Sequence, residues 1–176
     1  MKSPIKENIN NFKCGPLLRE KMPRGSVVHS FLFFDGNIEF DLARTGRFIA
    51  AHTTKYVIYE FWKCAMEDPK RIAELSQFFF PIEEENIFHI LQEEWPKYRD
   101  PFVRSALFFL LNRCSESGHI SAGKLNARYY NPVALSHLRR FTIDNFHLHL
   151  TEGEDFLQGL HNAPQADFIL FHIFIT

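Results

Sequence analysis

The stretch SVVHSFLFFDGNIEFDLARTGRFIAAH (26–52) decides the fold. Its first nine residues hold two Val and three Phe and no charge, the composition of a strand buried on both faces. Asp35-Gly36-Asn37 then reads as a turn. A short helix runs through 42–44, and Gly46 supplies the left-handed position that ends it. RFIAAH (47–52) is a second strand. Thr53 or Thr54 can cap a helix that begins near Lys55 and runs to about Glu67. Strand, helix, strand, helix in this order predicts an α/β fold built on a doubly wound, Rossmann-like sheet.

Downstream, residues 69–112 read as helical, with interruptions at Pro81, Pro96 and Pro101. FVRSALFFLLN (102–112) is apolar nearly all round, which predicts a buried helix. Residues 115–131 are rich in Ser, Gly, Asn and Lys and read as a long loop of the kind that carries function. A helix is expected over 132–140. FHLHL (146–150) alternates as a strand with His147 and His149 on one face. A short helix near 154–160 should lead to a last strand over 167–175. Residues 1–14 read as a polar arm, poorly ordered at its start. Tyr56, Tyr59, Phe61 and Trp62 read as core aromatics.

The bulk numbers bound the class. A chain of 176 residues is expected to form one domain, 1–176, with 45% apolar and 23% charged residues. Twenty Phe predict a bulky aromatic core or apolar surface that a partner covers. A net charge of -1 gives no general attraction to nucleic acid, so any DNA contact needs a local basic patch. Cys14, Cys64 and Cys114 lie far apart and form no C-x-x-C pair. Buried thiols in a reducing compartment follow, rather than a disulfide framework or a zinc ribbon. No apolar leader opens the chain and no apolar run is long enough for a membrane span, so neither secretion nor membrane insertion is expected. His147, His149 and His172 invite a metal reading, but convergent third and fourth ligands are not visible in the pattern, so no metal is expected. Cys114 beside Ser115 lacks any nucleophile signature.

FVRSALFFLLNRCSESGHISAGKLNARYYNPVALSHLRRF (102–141) resembles the target-recognition region of the N6-adenine-specific DNA methyltransferases of the D12 class. The similarity runs through the chain in order. Lys13, Gly15 and the KMP stretch at 21–23 are similar to the family's lysine- and glycine-bearing opening. LARTGRFI (42–49) and KYVIYEFWKCA (55–65) are similar to the elements after its first strand. Residues 69–141 would then be a helical, recognition-like insert. The resemblance implies S-adenosylmethionine as cofactor, DNA as substrate, and a bacterial cytoplasm or a phage particle as the setting.

The family's functional motifs are where the resemblance fails. Its cofactor loop, Phe-x-Gly-x-Gly, falls on 32–36, where only Gly36 matches. Phe34 stands where cofactor would pass, and Asp35 would face the cofactor's carboxylate. The acidic residue that takes the ribose hydroxyls at the end of the second strand falls on His52. The catalytic Asp-Pro-Pro-Tyr, which holds and stacks a flipped adenine, falls on His172, Ile173, Phe174 and Ile175. The expectation is therefore a pseudoenzyme without cofactor, acting as a binding or structural subunit.

Two alternatives stand beside it. A DNA-binding regulator or decoy would use Arg113, Ser115, Ser117, His119, Ser121, Lys124, Asn126 and Arg128, with Arg139 and Arg140 on phosphate. An active adenine methyltransferase would need a partner chain to supply the missing groups. The resembling enzymes continue past the last strand, so the strand at 167–176 is expected to pair with a protein partner or a second copy.

Overall fold

The computed structural model describes residues 3–6, 14–151 and 166–171. The expected helix at 154–160 and the whole of His172, Ile173, Phe174 and Ile175 lie outside the described residues. The chain forms two compact units, Met1–Ile9 with Glu60–Thr142, and Asn10–Tyr59 with Ile143–Thr176.

The second of these holds the sheet. Its elements are α1 (Gly15–Lys21), β1 (Val27–Phe31), α2 (Asn37–Arg44), β2 (Phe48–Thr53), β3 (Phe146–Leu150) and β4 (Phe168–Phe171). The four strands are all parallel in the order β3-β2-β1-β4, compatible with a Rossmann-like fold. The expected α/β class is thus what the chain adopts. Alternation along each strand separates two faces. Val28, Ser30, Ile49, Ala51 and Phe146 share one, and α2 packs on it. Phe40 of α2 meets Phe146 at 5.2 Å between ring centroids and Phe33 at 6.1 Å, both edge to face. Glu39 of α2 accepts a hydrogen bond from Ser30 Oγ at 2.5 Å.

Two boundaries beside the site differ by several residues from the sequence reading, and α1 lies where no helix was expected. β1 ends at Phe31 rather than at 34, because Leu32 takes φ 59° and breaks the extended chain. Helix α2 begins at Asn37, earlier than the pattern suggested. Gly36, at φ 74°, precedes it, and Asp35 Oδ1 accepts from the Asn37 N–H at 3.2 Å. Buried Arg47 ties the α1 end down, donating from Nε to Met22 O at 2.8 Å and from Nη2 to Arg19 O at 2.7 Å.

The other unit is helical: α4 (Pro69–Phe78), α5 (Glu85–Glu94), a 3-10 turn (Trp95–Lys97), α6 (Pro101–Cys114), a second 3-10 turn (Ala127–Tyr129) and α7 (Pro132–Arg139). The unit boundary falls within α3 (Tyr56–Glu67). Three of these helices start by one local rule. Asp68, Asp100 and Asn131 each accept an N–H of the first turn, and a Pro follows each, where its missing donor is no loss. As its composition predicts, α6 is buried nearly all round, from Phe102 through Cys114. Phe61 packs on Phe108 at 4.9 Å, and Trp62 on Phe141 at 5.3 Å. Tyr56 is a correction to the expected aromatic core, for it is 55% exposed. Of the expected polar arm 1–14, residues 1, 2 and 7–13 lie outside the described residues; within it Ser3 and Ile5 are buried, and the segment 3–6 is hydrogen-bonded to α6.

Candidate functional site

In open parallel sheets ligands bind beyond the carboxyl ends of the strands, where the strand order reverses. Here that place lies between β1 and β4, and the residues following β1 border it. Gly36 is needed there for an internal reason. A Cβ at this position would fall 2.3 Å from Cε2 and Cζ of Phe40, so the side chain of α2 occupies the space that glycine leaves. The Asp35 side chain is turned to Asn37, through Oδ1 to its backbone and through Oδ2 to its amide. Phe34 is half-buried.

His52, near the end of β2, belongs to a row of rings crossing all four strands. The register pairs Phe171 with Phe31, Phe31 with His52, and His52 with His149. Ring centroids are 5.7 Å apart for Phe171–Phe31, 4.6 Å for Phe31–His52 and 4.9 Å for His52–His149, with interplanar angles of 27°, 10° and 19°. His52 is therefore stacked on both sides. One strand over, His29 Nδ1 lies 3.0 Å from His52 Nε2, so one nitrogen donates and the other accepts. That bond requires at least one neutral imidazole.

The electrostatics point the same way. Burial lowers the His52 pKa to about 4, with His149 and His29 adding like-charge repulsion. Burial also lowers His29, helped by His149, and lowers His149, helped by His147. The row is thus a neutral, stacked set.

This arrangement does not fit S-adenosylmethionine held as the resemblance would have it. A carboxylate at the end of β2 would offer the ribose hydroxyls two acceptor oxygens, whereas the neutral His52 ring has one acceptor nitrogen at most and its Nε2 is engaged with His29. The glycine that should yield space to cofactor yields it to Phe40. Among the described residues, no group of three or more His, Cys, Asp and Glu side chains converges as metal ligands.

The expected nucleic-acid residues all lie in the helical unit, and the structure sorts them. His119, Ser121, Lys124 and Arg128 are exposed, as are Arg139 and Arg140. Arg113 is turned inward. Its guanidinium donates from Nε to Pro4 O at 2.6 Å, and burial lowers its pKa to about 10. Ser115 is fully buried and bonds to Ala122 O at 3.3 Å, so it shapes the loop instead of facing outward. Ser117 Oγ accepts from the His119 N–H at 3.3 Å, and Asn126 Oδ1 from the Arg128 N–H at 3.2 Å. The 115–131 segment is therefore a folded loop, closed by an antiparallel bridge between Ser115 and Leu125. Of the three thiols expected to be buried, Cys64 and Cys114 are, and Cys14 is a correction, exposed at the start of α1.

Sequence reading missed the row of rings. Its trace was there, in the two-residue spacings His29–Phe31 and His147–His149, but nothing local says which strands are neighbours. The fold and the row define an open parallel α/β protein with a stacked histidine–phenylalanine face. No family model matches the chain, and no curated protein matches it in sequence.

Proposed function

We propose that this chain is a catalytically inactive relative of the N6-adenine-specific DNA methyltransferases, of bacterial or phage origin, that works as a binding or structural subunit. The observation that carries the proposal is His52. At the place where a nucleotide-binding sheet needs a carboxylate, the chain has an imidazole stacked between Phe31 and His149 and hydrogen-bonded to His29. A group so engaged serves the sheet rather than a ribose. Gly36 backed by Phe40 and the inward-turned Asp35 support the same reading.

Calorimetric titration with S-adenosylmethionine, paired with a labelled-methyl transfer assay on duplex DNA, tests it. The expected outcome is neither micromolar binding nor transfer, and either one overturns the proposal. The contact for a protein partner or a second copy is proposed on the strand at 167–176. Among the described residues β4 pairs on one side alone, with β1, and Ile169 is 44% exposed. A strand at the edge of the described sheet is suited to strand addition. Native mass determination should exceed one chain, and a strictly monomeric mass removes this part.

A second reading is a DNA-binding regulator or decoy. The exposure of His119, Lys124 and Arg128 on one ordered loop favours it. Affinity for duplex DNA should then fall with salt and weaken in Lys124→Ala and Arg128→Ala. No retardation of a duplex at low salt removes it.

A further inference from the structure

The segment 3–6 is bound to the helical unit by an unusually complete set of contacts for so short a stretch. Asn112, fully buried at the end of α6, pairs with Lys6 in both directions. Its Oδ1 accepts from the Lys6 N–H at 2.6 Å, and its Nδ2 donates to Lys6 O at 3.0 Å. The same Nδ2 donates to Gly118 O at 2.8 Å, so one amide joins the segment to the loop. Arg113 holds Pro4 O and, at 3.4 Å, Ser3 O. The Lys6 ammonium donates to Ser115 O at 3.2 Å and Glu116 O at 2.5 Å, and sits 3.9 Å from the centroid of the Tyr129 ring. It thereby sits just past the carbonyl end of α6, where a cation is favoured. Gly118 closes the contact, for a Cβ there would stand 3.3 Å from Lys6 O.

We propose that Ser3–Lys6 is a strap that fixes the conformation of the 115–131 loop, with Lys6 and Asn112 as its positioning residues. The loop's own backbone bonds include Glu116 N to Lys124 O at 3.0 Å, Gly118 N to Ser115 O at 3.3 Å and Asn126 N to Cys114 O at 2.6 Å, joined by side-chain bonds from Ser115, Ser117 and Asn126, and the strap adds its bonds to this set. Without the strap, the carbonyls of Ser115 and Glu116 lose their ammonium donor. The Asn112 amide, shielded from solvent, loses both of its backbone partners on Lys6. Capture or cleavage of the N-terminal segment would then release the loop, which carries the exposed His119, Lys124 and Arg128. The loop's order and the position of the N-terminal segment form one coupled device, whatever the loop binds.

Amide hydrogen exchange on the full chain, on Lys6→Met, and on a chain lacking residues 1–6 tests the proposal. Lys6→Met keeps the stem and removes the ammonium. It should raise exchange at Glu116 and Gly118 by about tenfold, with the strands 27–31 and 48–53 unchanged. The shortened chain should extend the rise through Asn126. Unchanged loop exchange in both variants overturns the proposal. A uniform rise in loop and strands alike also overturns it, because that result reports general destabilisation instead of a strap.

Discussion

Acid should loosen the sheet through His52, and the effect has a definite sign and window. In the folded protein burial lowers its pKa to about 4, with His149 and His29 adding repulsion, while an unfolded chain has the ordinary value of 6.5. Below 6.5 the unfolded state binds the proton first. The stability associated with neutral His52 is therefore complete above pH 6.5 and is lost as pH falls toward 4. The full difference corresponds to about 3 kcal/mol. His52 is only half-buried, so solvent screening reduces this to about 1–2 kcal/mol. With a urea dependence of about 2 kcal/mol per molar, the midpoint should drop by about 0.5–1 M between pH 7 and pH 4 on this account alone. Carboxylates titrate in the same range, so the control is His52→Phe, which keeps a ring in the stack and removes the proton site. The variant should start lower at pH 7, having lost the bond to His29, and should fall less steeply with acid. NMR titration of the His52 ring should place its midpoint near 4. Parallel pH curves for the two proteins, or a ring titrating near 6.5, would refute the reasoning.

Other perturbations test the packing. Gly36→Ala combines a left-handed φ with a Cβ driven into the Phe40 ring, and should cost about 2–4 kcal/mol in urea unfolding. Adding Phe40→Leu should recover part of that loss. Glu60, nearly buried, forms an ion pair with Arg104, which donates from Nε to Oε1 at 2.7 Å. Glu60→Gln removes the carboxylate charge from this pair and should lower stability by about 3 kcal/mol, read from the same denaturation curves. A thiol reagent at pH 8 should label Cys14 quickly and the other two only on unfolding. Burial pushes the Cys114 thiol up to about 12 and also raises Cys64, disfavouring both thiolates.

Much of the architecture was legible because it is written locally. Asp68-Pro69, Asp100-Pro101 and Asn131-Pro132 each carry a capping acceptor and a proline at the first helical position. The 102–112 stretch, apolar nearly all round, declared its burial, and the strand–helix–strand opening declared a parallel sheet. Leu32 was not legible. A leucine at φ 59° follows no local preference, and its conformation accompanies the bond from the Phe33 N–H to His52 O at 3.0 Å. Arg113 was misread for a related reason. A guanidinium in a polar loop looks like a phosphate contact until the carbonyls of residues 3 and 4 are found beside it.

The amino-acid sequence by itself determined the first two strands and the helix between them, the starts of α4, α6 and α7, and the burial of α6. Those follow from propensity, capping and periodicity, which act over a few residues. The tertiary structure alone decided that His29, His52 and His149 share one face beside Phe31, and that Lys6 meets Asn112 across 106 positions of chain. Strand order and register arise from packing between distant segments. A side chain's partner, and with it whether a histidine is a ligand group or a stacked neutral ring, is fixed only when those segments meet.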